Sequence, residues 1–416
     1  MNFYQKNNLI KPNYGRGSIA EIAPSVLNLF GVSTKRGTLP FLKKENGKYR
    51  QVILLIVDAF GYDQFKKYQK NLPIIKKMVK DGEVQKITSV FPTTTAAALT
   101  AIHTGLTPQE HGLPEWVVYF EEFGQIIETL PFRPVKTTGT DTMLKFGGRS
   151  EMLYAGPTVF QALKAGGVKP FLFTSKRFTN SAYTRAVTKG GNVIGFANLT
   201  DLMKKLRTAV TKEKSRAFFS VYWGEVDNAL HHHGPNSLQH QKALRQFFQE
   251  LQKELINKIN TKLFSDTLMI ICADHGQVKV NPKKTIYLNN YPEIIKNLAK
   301  SKQGKIIPPT GSPRDVFLFV QPKKVKETIK LLKKQLGNKA DIFEIAKLKK
   351  EKWFGINAPT KKFNRRVGNL LILPRKNYAV WYIHVPGELL KFLGIHGGAT
   401  AKEMLVPFGF IPMSKL

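Results

Sequence analysis

A single cysteine, Cys272, leaves no partner for an internal disulfide. It lies in the run LMIICADHG and reads as a small buried residue. No stretch of about 18 consecutive apolar residues occurs, so no membrane-spanning helix is expected. The opening residues, MNFYQKNNLIKPNYGRGS, lack the apolar segment behind a basic end that marks a secretory leader, which makes a cytoplasmic location the expectation. There is no internal repeat and no low-complexity linker. Acidic residues are scarce: 29 Asp and Glu stand against 65 Lys and Arg, a formal charge of +36. Such an excess attracts anions, whether nucleic acid, acidic lipid or a phosphate-bearing substrate. Arginine is the scarcer cation, although its planar fork is what phosphate and base recognition favours, and the lysines are scattered rather than gathered in a tail. Nucleic acid is therefore not the favoured partner. The charge reads as a basic surface that draws an anionic phosphate ester toward a cleft.

What remains is ordinary for a globular protein: 42% hydrophobic and 23% charged residues over 416 positions. That length exceeds the usual single domain but suits a large α/β enzyme. Residues 1–48 read as an N-terminal extension, and 49–416 as one main domain. The run QVILLIVDAFGYD has the unbroken apolar character of a strand buried on both faces, ending at Asp58. AFFSVYWGEVD and DTLMIICADHG repeat the pattern and end in Asp227 and Asp274. TTTAAALTAIHTG consists of strong helix formers stopped by Gly105. Residues from about 115 to 215 show weaker periodicity and read as a cap inserted over the core. HHHGPNS reads as a loop. SLQHQKALRQFFQELQKELINKI reads as a long amphipathic helix, with Leu238, Leu244, Phe248, Leu251 and Leu255 on one side. Strands alternating with helices predict an α/β fold around a mostly parallel sheet.

Three apolar strands thus deliver carboxylates to their ends, where open α/β sheets place ligands. An unpaired carboxylate beside apolar runs is costly, and a metal cation removes the cost. His231 follows Asp227 by four residues, His275 adjoins Asp274, and His396 lies in the Gly-flanked loop GIHGG. Carboxylate with neutral imidazole suits zinc, or manganese. Six such ligands exceed one tetrahedral shell and suggest two metal ions. In FPTTTAAAL, Thr95 falls at or near the first turn of a helix, where free amides and the positive helix end favour an anion. Taken singly, each piece has a plain alternative: an aspartate or threonine as a helix cap, three histidines as a solvated loop. The set is what is uncommon.

As a set, these segments resemble the type I phosphodiesterase and nucleotide pyrophosphatase family of the alkaline phosphatase superfamily. The resemblance runs through LLIVDAFGYD, FPTTTAAALTAIHTGLTPQEHGL, YWGEVDNALHHHGP, CADHGQ and GIHGGATAKEMLVPF, in order from residue 52 to about 410. It implies an alkaline phosphatase-like three-layer core, with a mostly parallel central sheet flanked by helices and a cap inserted after the nucleophile helix. It implies Thr95 as nucleophile, with Asp58, Thr95, Asp274 and His275 around one metal and Asp227, His231 and His396 around the other. The family's phosphate-binding asparagine is replaced by Trp116, and the glycine usual before the second histidine by Leu230.

The resulting expectation is a hydrolase of phosphodiester or pyrophosphate bonds, with nucleotide-type substrates, working through a phospho-threonine intermediate with two divalent metal ions, Zn2+ or Mn2+. Trp116 and Arg314 are the candidate substrate contacts. The alternatives are a phosphomonoesterase or phosphonate hydrolase on the same two-metal core, a sulfatase (which normally needs a modified cysteine or serine where Thr95 stands), and a non-enzymatic, basic nucleic-acid-binding protein.

Overall fold

The chain folds around two seven-stranded sheets, seen in a computed structural model that describes residues 9–260 and 264–416. The first contains β1 (Gln51–Val57), β2 (Glu83–Thr88), β3 (Lys169–Ser175), β4 (Asn192–Phe196), β5 (Ala217–Trp223), β6 (Thr267–Cys272) and β7 (Leu405–Pro412). Their order is β2-β7-β6-β1-β5-β3-β4. β1 pairs in parallel with both β5 and β6, β5 with β3, and β3 with β4. Only β7 runs against its neighbours, β2 and β6. Every residue of β1 and of β6 is buried, as an unbroken apolar run with helices over both faces of the sheet requires. This is the expected three-layer α/β core.

The second sheet is antiparallel. Its order is Ala340–Glu344, Leu370–Pro374, Asp315–Leu318, Thr310–Ser312, Val117–Phe120, Gln125–Glu128 and Arg133–Pro134. The segment read as a single cap at about 115–215 is therefore divided. Its first strands, from Val117 to Pro134, build the second sheet, while β3 and β4 extend the central one. Lys169–Ser175 sits between β4 and β5 and pairs in parallel with both, an arrangement that periodicity within the segment does not reveal.

The segment read as an N-terminal extension is likewise part of the core from residue 9 onward. Ile19, Ile22, Val26 and Leu29 are almost fully buried in the main apolar cluster. The helix Ile22–Leu29 packs on the helix Thr95–Thr104. The long amphipathic helix begins at Leu238 and continues through a π-helical turn at Leu251–Leu255. Leu244, Phe248, Leu251 and Leu255 are buried, but Leu238 is exposed. No helix among the described residues is long and apolar enough to cross a membrane.

Candidate active site

The carboxyl ends of β1, β5 and β6 meet the start of the helix Thr95–Thr104, and the site is built there. Asp58 follows β1 directly. The chain then turns through Ala59, whose φ of 58° is unusual for a residue with a Cβ. That turn aims the Ala59 amide at Asp274 Oδ1, 3.1 Å away, and the His275 amide donates to the same oxygen at 2.9 Å. Both amides hold Asp274 still and leave its Oδ2 free. Gly276, the glycine of ADHG, is required by close approach, since a Cβ there would collide with the Lys402 carbonyl.

Thr95 is the first residue of its helix, and the Thr94 side chain caps the helix by accepting from the Ala97 amide. The Thr95 hydroxyl lies 3.1 Å from His275 Nε2. The same nitrogen is 3.4 Å from Asp274 Oδ2 and 3.5 Å from Asp58 Oδ1.

Asp227 departs from its expected place. β5 ends at Trp223, and the chain enters a helix, Glu225–His233, that includes the three histidines read as a loop. Asp227 and His231, four apart, therefore share one helix face. Asp227 Oδ2 is 3.2 Å from His231 Nε2, and Asp227 Oδ1 is 3.8 Å from His396 Nε2. Two groups of side chains converge closely enough to hold an ion: Asp227 with His231 and His396, and Asp58 with Asp227 and His275. Asp227 belongs to both. The structure thus brings together all seven residues singled out as metal ligands.

The three imidazoles are set for ligation by the backbone. His231 Nδ1 lies 2.8 Å from the Gly394 carbonyl, His275 Nδ1 3.2 Å from that of Gly276, and His396 Nδ1 2.9 Å from that of Thr93. A carbonyl can only accept, so each Nδ1 carries a proton. His275 and His396 keep the Nε2 lone pair toward the centre. At His231 burial is outweighed by the Asp227 carboxylate, which raises its pKa above the ordinary value, so that ring gives up its Nε2 proton to ligate. His275 and His396 stack with ring centroids 3.8 Å apart.

The electrostatics show a cost that a cation would remove. Burial, then the charges of Asp274 and Asp227, pushes Asp58 well above the carboxylate range. Burial raises Asp274 to about 6. Burial also pushes His275 down to about 4 and His396 to about 3, which keeps both neutral and able to ligate. At Asp227 burial is outweighed by His231, His396 and His275, and its carboxyl stays well below the usual range. Asp58 Oδ1 and Asp274 Oδ2 are buried with no hydrogen-bond partner. Orphaned buried carboxylate oxygens facing imidazole lone pairs fit divalent cations.

Two supporting residues escaped the sequence. Tyr222, near the end of β5, donates to Asp58 Oδ2, and Gln277 donates to Asp227 Oδ1. Gln277 stands two residues past His275 in ADHGQ, so its nearness to the site was readable there, though its partner was not.

Of the two substrate contacts proposed from sequence, the structure places one at the site. Trp116 is 40% exposed and lines both cavities that adjoin Thr95, one of about 810 Å3 and one of about 230 Å3. Arg314 is instead buried. Its Nε and Nη2 donate to Glu403 at 3.1 and 3.3 Å, and Nη1 donates to the carbonyls of Lys376 and Tyr378. A guanidinium so engaged ties the Asp315 strand to the chain's final segment and cannot reach a substrate. Arg314→Met should lower stability by about 3–5 kcal/mol in urea denaturation, because it leaves Glu403 buried and unpaired.

The profile of the family described as type I phosphodiesterase / nucleotide pyrophosphatase matches residues 52–399. A venom phosphodiesterase of Crotalus durissus collilineatus is 24% identical over 273 residues, which cover 64% of this chain and 31% of that protein. Human ectonucleotide pyrophosphatase/phosphodiesterase family member 1 is 25% identical over 251 residues, 59% of this chain and 25% of the relative. The matched region thus spans about a third or less of these curated relatives' length. Among solved structures, murine ectonucleotide pyrophosphatase/phosphodiesterase 5 superposes with a TM-score of 0.63 at 16% identity, covering 86% of this chain and 87% of that one. The human counterpart gives 0.62 at 18% identity over the same shares. The fold is shared with these proteins, and the match across most of the chain places it in the type I phosphodiesterase/nucleotide pyrophosphatase family.

Proposed function

We propose that this chain hydrolyses phosphodiester or pyrophosphate bonds with Thr95 as nucleophile. The observation that carries the reading is the Thr95 hydroxyl at a helix N-terminus, 3.1 Å from His275 Nε2 and beside the two ligand groups that share Asp227. Two divalent cations, zinc or manganese, held by Asp58, Asp274 and His275 and by Asp227, His231 and His396, would neutralise the phosphate and make the Thr95 hydroxyl more acidic.

In the first step Thr95 Oγ1 forms a bond to phosphorus while the bond to the leaving ester oxygen breaks, and the threonine proton ends on that leaving oxygen, which departs as the alcohol. The product is phospho-threonine. In the second step a water oxygen bonds to phosphorus and Thr95 Oγ1 leaves, taking a proton back. The helix N-terminus stabilises negative charge on the threonine oxygen in both steps. Gln277 and Tyr222 keep Asp227 and Asp58 oriented. One structure of murine ectonucleotide pyrophosphatase/phosphodiesterase 5, described as an inactive threonine-to-alanine variant in complex with AMP, supports a nucleotide-type substrate for this fold and a threonine that matters. The face of Trp116 suits stacking on a nucleobase.

A diester is favoured over a monoester. The additional charged oxygen of a monoester needs a further donor, Arg314 is locked on Glu403, and Lys391 is the only Lys or Arg lining either cavity among the described residues. With zinc or manganese supplied, kcat/KM for the nitrophenyl ester of thymidine 5′-monophosphate is expected to exceed that for nitrophenyl phosphate. A ratio below one would overturn the diester preference and favour a phosphomonoesterase.

A further inference from the structure

Glu115 and Asp315 are 1% and 0% exposed, and their carboxyl groups meet within hydrogen-bonding reach. Glu115 directly precedes Trp116. Asp315 opens the strand Asp315–Leu318, and the strand Thr310–Ser312 pairs with both that strand and Val117–Phe120. Glu115 Oε2 accepts from the Trp116 amide, and Asp315 Oδ1 accepts from Ser312 Oγ. The two remaining oxygens, Glu115 Oε1 and Asp315 Oδ2, are buried, and no donor among the described residues reaches either.

Ionised carboxylates only accept, so two of them cannot bond to each other; one proton between them makes one a donor and satisfies both oxygens. Burial favours the same state: it raises Glu115 to about 8, and burial with the charge of Glu115 pushes Asp315 well above the carboxylate range. Arg314, next to Asp315 in the chain, is committed to Glu403 and does not balance a second charge. The pair abuts two parts of the site. On one side lies the Trp116 backbone. On the other, Ser312 Oγ stands between Asp315 Oδ1 and the His396 carbonyl, 3.1 Å from that carbonyl. A Cβ on Gly397, the residue after His396, would collide with Asp315 Oδ1 and Ser312 Oγ.

We propose that Glu115 and Asp315 share one proton, and that this hydrogen bond makes them positioning residues, fixing the His396 loop and the Trp116 backbone relative to one another. Neither carboxyl is a metal ligand; both act through the residues they hold. Their effect on turnover rests on the phosphodiesterase reading, whereas their effect on metal affinity does not.

The test compares alanine with amide substitutions at each position. Glu115→Ala and Asp315→Ala remove the bond and leave one carboxyl buried without its partner. Each is expected to weaken zinc binding about tenfold, measured by competition with a chelating dye, and to lower kcat/KM for the nitrophenyl ester of thymidine 5′-monophosphate by about the same factor. Glu115→Gln and Asp315→Asn each place an amide N–H where the shared proton lay, and each should stay within about twofold of wild type in both measurements. Two required charges, or a cation held between them, would instead make the amides as damaging as alanine, and that result would overturn the shared proton. Infrared spectra give a readout independent of turnover. Zinc-loaded wild type at pH 7 should show the carbonyl band of a protonated carboxylic acid, and either amide variant should lose it; its absence from wild type would also overturn the proposal. Alanine variants equal to wild type in zinc affinity and turnover would overturn the positioning role. If an alanine variant does not fold, the amide pair and the infrared band decide. If wild type cleaves no diester, the phosphodiesterase reading fails, and zinc competition with the infrared band still tests the pair.

Discussion

Thr95→Ala is expected to lower turnover of a nitrophenyl nucleotide diester by on the order of 10,000-fold or more, with the protein still folded. The change removes one oxygen and one methyl group from a side chain 9% exposed, at a helix position that alanine tolerates well. Stability should therefore barely move, and the whole effect falls on the bond to phosphorus. Thr95→Ser keeps the oxygen and should retain measurable turnover. The neighbouring threonines serve as controls because the fold already uses them. Thr93 Oγ1 donates to the Gly398 carbonyl at 2.7 Å and accepts from the Gly397 amide, and so supports the loop that carries His396. Thr94 caps the helix. Thr94→Ala should cost about 1 kcal/mol in unfolding and leave most of the turnover. Phosphate trapped on Thr95, found by mass spectrometry of acid-quenched enzyme, would give direct support. Near wild-type turnover in Thr95→Ala would show that another group attacks.

The parts of this site that sequence made visible are those dictated by burial. QVILLIV and TLMIIC carry no polar residue past their first position, so only strands covered on both faces can hold them, and their ends mark where Asp58 and Asp274 emerge. The parts it hid depend on contacts between distant segments. Asp227 was expected at a strand end because AFFSVYWGEVD is apolar almost up to it. The helix Glu225–His233 buries only Val226 and Leu230, too few positions to give a clear helical period. Arg314, in GSPRD, is a candidate from sequence alone because nothing local announces that Glu403, 89 residues further on, neutralises it. β3 and β4 read as part of a cap for a related reason: what joins them to the central sheet is the parallel pairing of β3 with β5, which nothing local announces. Tyr222 needed the β1–β5 register, Ile56 opposite Tyr222, before its reach toward Asp58 could be seen.

Thorough chelation is expected to abolish turnover, and zinc or manganese to restore it, with metal analysis of gently purified protein approaching two ions per chain. Among single changes, Asp227→Asn should have the largest effect, because Asp227 alone belongs to both ligand groups, with His231 and His396 in one and with Asp58 and His275 in the other. It should lower bound metal at both positions, whereas Asp274→Asn and His396→Ala should each lower it chiefly at one. Loss of a charged ligand to a buried ion typically exceeds the cost of an ordinary hydrogen bond, so the fall in turnover should approach that of Thr95→Ala. The carboxylates also predict how metal loss depends on pH. Burial raises Asp274 to about 6 and Asp58 well above its ordinary value when no cation is present. A carboxyl with a raised pKa in the folded protein contributes most stability below its unfolded pKa, and that contribution is lost as pH rises through the folded value. Near pH 5 a proton on Asp274 partly takes the cation's place; near pH 8 that proton is gone. The drop in Tm on chelation should therefore be larger at about pH 8 than at about pH 5, with zinc restoring it at the higher pH. A chelation effect on Tm that is the same at both pH values, together with full turnover in protein carrying no detectable metal, would exclude the two-metal site and leave the clustered carboxylates to be balanced by protons alone.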